Sequence, residues 1–104
     1  MIDGLVDRFN RYMAAPKISS ANKIYRRILE TNPKDARIPA LREKLAQGYL
    51  NLANEQAAAG DWSDALSYTE DGLEVSPNHA GLKSMESKAI AQLPNGRKKF
   101  LGVF

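Results

Sequence analysis

The sequence predicts an all-α protein of helical hairpins, with about five helices and a long third helix. Apolar residues recur at the three- and four-residue spacing of one helix face through most of the chain. Glycine, proline and capping residues separate these stretches. No stretch alternates apolar and polar residues with the period of two that a strand requires.

The sequence pattern predicts two helices before Pro33. The N-terminal segment, MIDGLVDRFNRYM, has charged residues inside its apolar pattern, which indicates an amphipathic helix rather than a signal sequence. Without a signal or transmembrane segment, a cytoplasmic location is favoured. A second helix of about three turns runs from Ser20 to Asn32-Pro33. Its apolar face consists of Ala21, Ile24, Tyr25, Ile28 and Leu29.

The third predicted helix is the longest, at about twenty residues between Pro39 and Ala59. Gly48 interrupts it at a cost of only about 1 kcal/mol, so the helix is expected to continue through it. Its apolar stripe consists of Leu41, Leu45, Tyr49, Leu52 and Ala53.

A tight connection is expected at Gly60-Asp61. Gly60 suits the end of the third helix, and Asp61 suits the N-cap of the fourth, with Asp64 near the positive end of its dipole. Trp62 is expected to fill the corner between these two antiparallel helices.

The fourth helix is expected to end at Ser76-Pro77, and Asn78 to cap a fifth helix that ends at Pro94-Asn95-Gly96.

Composition and charge limit the class of protein. With 104 residues, of which 43% are hydrophobic and 26% charged, the chain is expected to form one helical domain over residues 1–96, followed by a basic and aromatic tail over 97–104. There is no cysteine, which excludes disulfides and thiolate chemistry. Net charge is +5 over residues 1–50, −5 over 51–96 and +3 from the cations at 97–99. Such blocks can steer a partner.

A repeated pattern covers roughly residues 2–93. The segment 46–79 is 34 residues long and places Tyr49, Leu52, Ala53, Gly60, Asp61, Trp62, Ala65, Leu73 and Pro77 at spacings that resemble the tetratricopeptide repeat (TPR) family. Gly72 stands where that family has alanine, which predicts weaker packing. A poorer copy precedes it, with Leu5, Phe9, Tyr12, Pro16, Ala21, Tyr25, Ile28 and Pro33.

About ten residues within KDARIPALREKL lengthen the first helix of the second copy, and the helix from Asn78 to Leu93 resembles the capping helix of such arrays. The resemblance implies two repeats and a cap, arranged as an α-α superhelix.

Stacked hairpins of this kind leave a concave groove that binds a peptide or helix of a partner protein. Asn10 and Asn54 fall at matching places of the two copies, where family members that grip a terminal carboxylate use asparagine. The lysines that help them stand one turn earlier, and those places here hold Val6 and Leu50, so a mixed apolar and amide groove is expected. On the long third helix, the stripe expected opposite the core consists of Glu43, Gln47, Leu50, Asn54 and Ala57 or Ala58. The candidate partner-binding residues are Val6, Asn10, Met13, Glu43, Gln47, Leu50, Asn54, Ala57, Ser84 and Lys88.

Enzymatic activity is not expected. The only histidine, His79, is expected to be a surface loop residue at a helix start, and the serines are expected to be caps or exposed. No metal-ligand spacing or phosphate-binding glycine loop occurs, so no cofactor and no metal are expected.

Two other functions remain open besides protein or peptide binding. One is a structural or self-associating element, since fewer than three repeats bury little core. The other, which is disfavoured, is nucleic-acid contact through Lys23, Arg26, Arg27, Lys34 and Arg37, because Tyr25 is spaced for the core rather than for base stacking.

The C-terminal segment RKKFLGVF places apolar residues after three cations. Its candidate contact residues, Phe100, Leu101 and Phe104, are expected to dock on the helices or on another subunit rather than stay in water.

Overall fold

A computed structural model of the chain describes residues 2–93, and over that range it contains five α-helices and no strand. The predicted all-α class, the number of helices and the long third helix are therefore confirmed. The helices are α1 (Ile2–Ala14), α2 (Ile18–Thr31), α3 (Ile38–Ala58), α4 (Trp62–Val75) and α5 (Ala80–Gln92).

The described residues form two compact units that divide between Gly48 and Tyr49, inside α3. Unit 1 contains α1, α2 and the first part of α3, and unit 2 contains the rest of α3 with α4 and α5. The prediction of a single domain over residues 1–96 stays a prediction.

Unit 1 is built on the hairpin of α1 and α2. Its turn is tight, because the backbone N–H of Lys17 donates to the carbonyl of Tyr12 at 2.6 Å. The second helix begins at Ile18, earlier than the predicted Ser20, because Ile18 is itself buried in the core. Side chains from all three helices fill this core, namely Phe9, Ile18, Ala21, Ile24, Tyr25, Ile28, Ile38, Leu41 and Leu45.

A buried tyrosine joins α2 to α3 within unit 1. The hydroxyl of Tyr25 accepts a hydrogen bond from Nε of Arg42 at 3.1 Å, while the ring is 4% exposed. A buried tyrosine hydroxyl needs such a partner to offset its lost hydration. The assignment of Tyr25 to the core face is confirmed.

The loop between α2 and α3 is held by Arg37. Its guanidinium donates to both carboxylate oxygens of Asp35, at 3.0 and 3.1 Å, and to Oδ1 of Asp3 at 2.7 Å. The Arg37 side chain, and then its backbone N–H at 2.8 Å, lower the pKa of Asp35 below its ordinary value by hydrogen bonding to the ionised form. Hydrogen bonds to Asp35, and then to Asp3, raise the pKa of the Arg37 guanidinium. Arg37 and Asp35 are therefore both ionised at neutral pH.

The core of unit 2 contains a cluster of two alanines and one methionine. Ala53 of α3, Ala65 of α4 and Met85 of α5 form one cluster, and Trp62 is half-buried against it. Thr69 is fully buried, and its hydroxyl donates to the carbonyl of Ala65 at 2.7 Å. The other buried apolar residues of this unit are Tyr49, Leu66, Leu82 and Ala89.

The predicted connection at Gly60-Asp61 is confirmed. Gly60 has a φ of +83°, in the left-handed region that favours glycine. Oδ1 of Asp61 accepts the backbone N–H of Asp64 at 3.1 Å, which is the N-cap bond of α4. Asp61 raises the pKa of the Asp64 carboxyl, first by hydrogen bonding to its protonated form and then by charge repulsion.

The predicted cap of the last helix is wrong by one residue. His79, not Asn78, is the N-cap of α5, and its Nδ1 accepts the backbone N–H of Leu82 at 3.2 Å. An imidazole nitrogen can take this role because it satisfies one of the free amides of the first turn. His79 is therefore half-buried and structural rather than a surface loop residue.

Candidate partner-binding site

An exposed amide and ammonium meet on unit 1. Nζ of Lys44 on α3 donates to Oδ1 of Asn10 on α1 at 3.4 Å, and both residues are exposed. The sequence pattern indicates Asn10 but gives no signal for Lys44. Lys44 lies in KDARIPALREKL, the segment that contains the added residues, so a comparison of the two copies does not single it out.

Val6 and Met13 lie on the same face of α1 as Asn10, one turn to either side, and both are half-buried. The end of the Met13 side chain packs against α3 at Gly48. Glycine has no Cβ atom, and one added there would lie only 2.9 Å from Cε of Met13. We define Val6, Asn10, Met13 and Lys44 as the amide site. It combines polar donors with partly exposed apolar surface.

Glu43 and Gln47 of α3 are exposed in unit 1, where the prediction placed them opposite the core. Each already takes part in an interaction with other residues of the chain. Glu43 is next to Lys44 in sequence and Gln47 lies about one turn beyond it, but both already have a partner within the chain.

In unit 2 the predicted stripe divides into inner and outer residues. Leu50 and Ala57 are half-buried and pack against the cluster of Ala53, Ala65 and Met85, so they do not lie opposite the core as predicted. Leu50 also closely approaches the first turn of α5, where its Cδ2 would lie 2.7 Å from a Cβ atom at Gly81.

Three candidate residues of unit 2 remain fully on the surface. Asn54 is exposed on α3, and Ser84 and Lys88 are exposed one turn apart on α5. Their contact with a partner stays a prediction. The predicted tail contacts Phe100, Leu101 and Phe104 lie outside the described residues.

Two of the cations considered for nucleic-acid contact, Arg26 and Arg37, already have partners within the chain. Arg37 is held by Asp3 and Asp35. Arg26 also has a partner within the chain.

Within residues 2–93, no group of three or more histidine, aspartate or glutamate side chains is placed to hold a metal ion. None of the five helices combines the length and apolar character needed to cross a bilayer.

Comparison with known proteins does not identify a relative. No protein-family model matches the chain, and neither a curated protein nor a solved structure shows significant similarity to it.

Proposed function

We propose that this chain is a non-catalytic protein-interaction module, related to the TPR family, that binds a peptide or helix of a partner protein. The observation that carries the proposal is the contact between Asn10 and Lys44. When Oδ1 of Asn10 accepts from the ammonium, the amide N–H groups and the other ammonium N–H groups keep their capacity to donate to a ligand. Such a pair suits a carboxylate or carbonyl of a bound segment.

The apolar part of the amide site supports a peptide rather than a small anion. Val6 and Met13 flank Asn10 on α1 and keep part of their surface exposed. A bound segment can therefore place one polar group on the amide and ammonium, with apolar side chains before and after it. In the repeat pattern, a lysine on the first helix supplies the cation, but α1 has Val6 at that position. Lys44 on α3 supplies the cation instead.

Relationship to the TPR family is part of the proposal and draws on unit 2. Ala53 and Ala65 stand at two positions where the repeat pattern has a small residue, and both are fully buried in one cluster. The turn glycine has the left-handed conformation that the connection of two antiparallel helices needs, and the following aspartate caps the next helix.

The test compares partner capture by the wild-type chain and by the Asn10→Ala, Lys44→Ala double variant. Proteins bound from a lysate are quantified, and the affinity of a purified partner is then measured by calorimetry. Loss of a contact that matters should cost more than about 1 kcal/mol of binding free energy. Lys34→Ala, which removes an exposed loop cation, is the matched control. Equal affinity of the double variant and the wild type, within about 0.5 kcal/mol, would exclude the amide site.

A further inference from the structure

A second polar surface lies between α1 and α2 of unit 1. Two adjacent clefts of about 320 and 360 Å³ share Arg8 of α1 and Arg27 of α2 among their lining residues. Lys23, one turn before Arg27 on α2, lines the first cleft. We call the two clefts together the basic furrow; it extends about 16 Å along α2, from the rise per residue of a helix.

The cations of the basic furrow differ from three other cations of unit 1. Arg42 and Lys44 both donate to side chains of the same unit, and Arg37 is held by carboxylates. Within residues 2–93, by contrast, the side chains of Arg8, Lys23 and Arg27 make no hydrogen bond or ion pair, and no carboxylate lines either cleft. The hydroxyl of Thr31 donates to the backbone carbonyl of Arg27 at 2.8 Å and leaves the guanidinium unengaged. Like charges gathered without a counter-charge raise the local potential, which attracts an anion.

We propose that the basic furrow binds a carboxylate-rich segment of a partner protein. Each guanidinium can donate two parallel hydrogen bonds to one carboxylate, which gives geometric specificity as well as attraction. Leu5 and Ile24 add apolar walls beside the arginines. The matching ligand therefore carries aspartate or glutamate side chains next to a leucine-like residue.

Other occupants fit the basic furrow less well. Among the acidic residues that a second copy of this chain could offer, Glu70, Asp71 and Glu74 of α4 each already have a partner within the chain. Single-stranded nucleic acid needs exposed aromatic side chains for base stacking, whereas Tyr12, which lines the first cleft, is half-buried.

The basic furrow and the amide site are independent. Arg8 and Asn10 are two residues apart on α1, so they point in directions about 200° apart around its axis. One site can therefore fail its test while the other passes.

The experiment uses a fluorescein-labelled peptide of about twelve residues, with glutamate at every third or fourth position and leucines between, long enough to follow α2 along the furrow. Binding to the full chain is measured by fluorescence anisotropy. We expect the Arg8→Gln, Arg27→Gln variant to bind at least about tenfold more weakly than the wild type, because two charge-assisted hydrogen-bonding groups are lost. A peptide with glutamine in place of glutamate should lose a similar factor.

The control variant is Lys34→Gln, Lys83→Gln, which removes the same charge from exposed positions outside the furrow. Its affinity should stay within about twofold of the wild type. Absence of peptide binding by the wild type, or an equal loss in the control, would overturn the proposal. So would arginine-dependent binding of a single-stranded oligonucleotide more tightly than the peptide, or an arginine-dependent dimer in sedimentation. All variants are exposed substitutions, and circular dichroism verifies that they remain folded.

Discussion

Gly72 of α4 lies directly against Leu82 of α5. A Cβ atom at position 72 would stand 2.8 Å from Cδ1 of Leu82 and 3.0 Å from Cβ of Tyr49. The leucine methyl can shift, but the tyrosine Cβ is tied to its backbone. The weaker packing predicted from a glycine in place of alanine is therefore wrong, because the glycine is what permits the contact.

We expect Gly72→Ala to destabilise the protein by about 1–3 kcal/mol, since overpacking outweighs the better helix propensity of alanine, about 1 kcal/mol. Urea denaturation followed by circular dichroism measures the change. Gly4→Ala is the matched control, because a Cβ atom there would meet nothing within 4 Å. It should be neutral or slightly stabilising. A stabilised Gly72→Ala would contradict the close packing of α4 and α5.

The pair of Arg37 and Asp35 should make stability depend on acid pH. Asp35 has a pKa below its ordinary value of 3.8, so its ionised form contributes stability above about pH 4. That contribution is lost as the pH falls through the lowered pKa. The melting temperature of the wild type should exceed that of Asp35→Asn at pH 7, and the two should converge at lower pH.

The control for this comparison is Glu30→Gln, which removes an exposed carboxylate from α2. Its difference from the wild type should be small throughout. A gap between wild type and Asp35→Asn that is the same at every pH would assign the effect to packing rather than charge.

Removal of the His79 ring should lower the free energy of unfolding, because this ring caps α5. His79→Ala deletes the acceptor of the Leu82 N–H and should destabilise the protein by about 0.5–2 kcal/mol. His79→Asn should retain the cap, because an asparagine oxygen accepts the same amide. If Asn78→Ala, one residue earlier, were the more damaging change, the assignment of the cap would be wrong.

Ala65 should not tolerate a larger side chain. It is fully buried beside Ala53 and Met85, so Ala65→Leu is expected to cost about 1–3 kcal/mol. The fluorescence of Trp62, the only tryptophan in the sequence, follows unfolding of this cluster. Ala58→Leu, at an exposed position near the end of α3, should change stability by less than about 0.5 kcal/mol.

Local signals in the sequence were sufficient for the helices and for the turn at Gly60-Asp61. Each depends on residues close in the chain, whose periodicity, backbone freedom and capping chemistry can be recognised directly. The cap at His79 was missed because asparagine has the stronger capping preference, and only the backbone path decides which residue occupies the position.

Contacts between distant segments were not predictable in the same way. Lys44 reaches Asn10 across 34 positions of sequence, and Gly72 meets Leu82 on a different helix. Leu50 packs against a cluster whose members, Ala53, Ala65 and Met85, come from three different helices. Periodicity identifies the face on which a residue lies, but not the volume available opposite it.

The left-handed backbone at Gly60 has a consequence for chirality. A Cβ atom there would meet nothing within 4 Å, so the glycine serves the backbone angle alone. A mirror-image amino acid prefers this angle, and it restricts the unfolded chain more than glycine does. A synthetic chain with D-alanine at position 60 should therefore be more stable than the natural one, whereas L-alanine at the same place should weaken it.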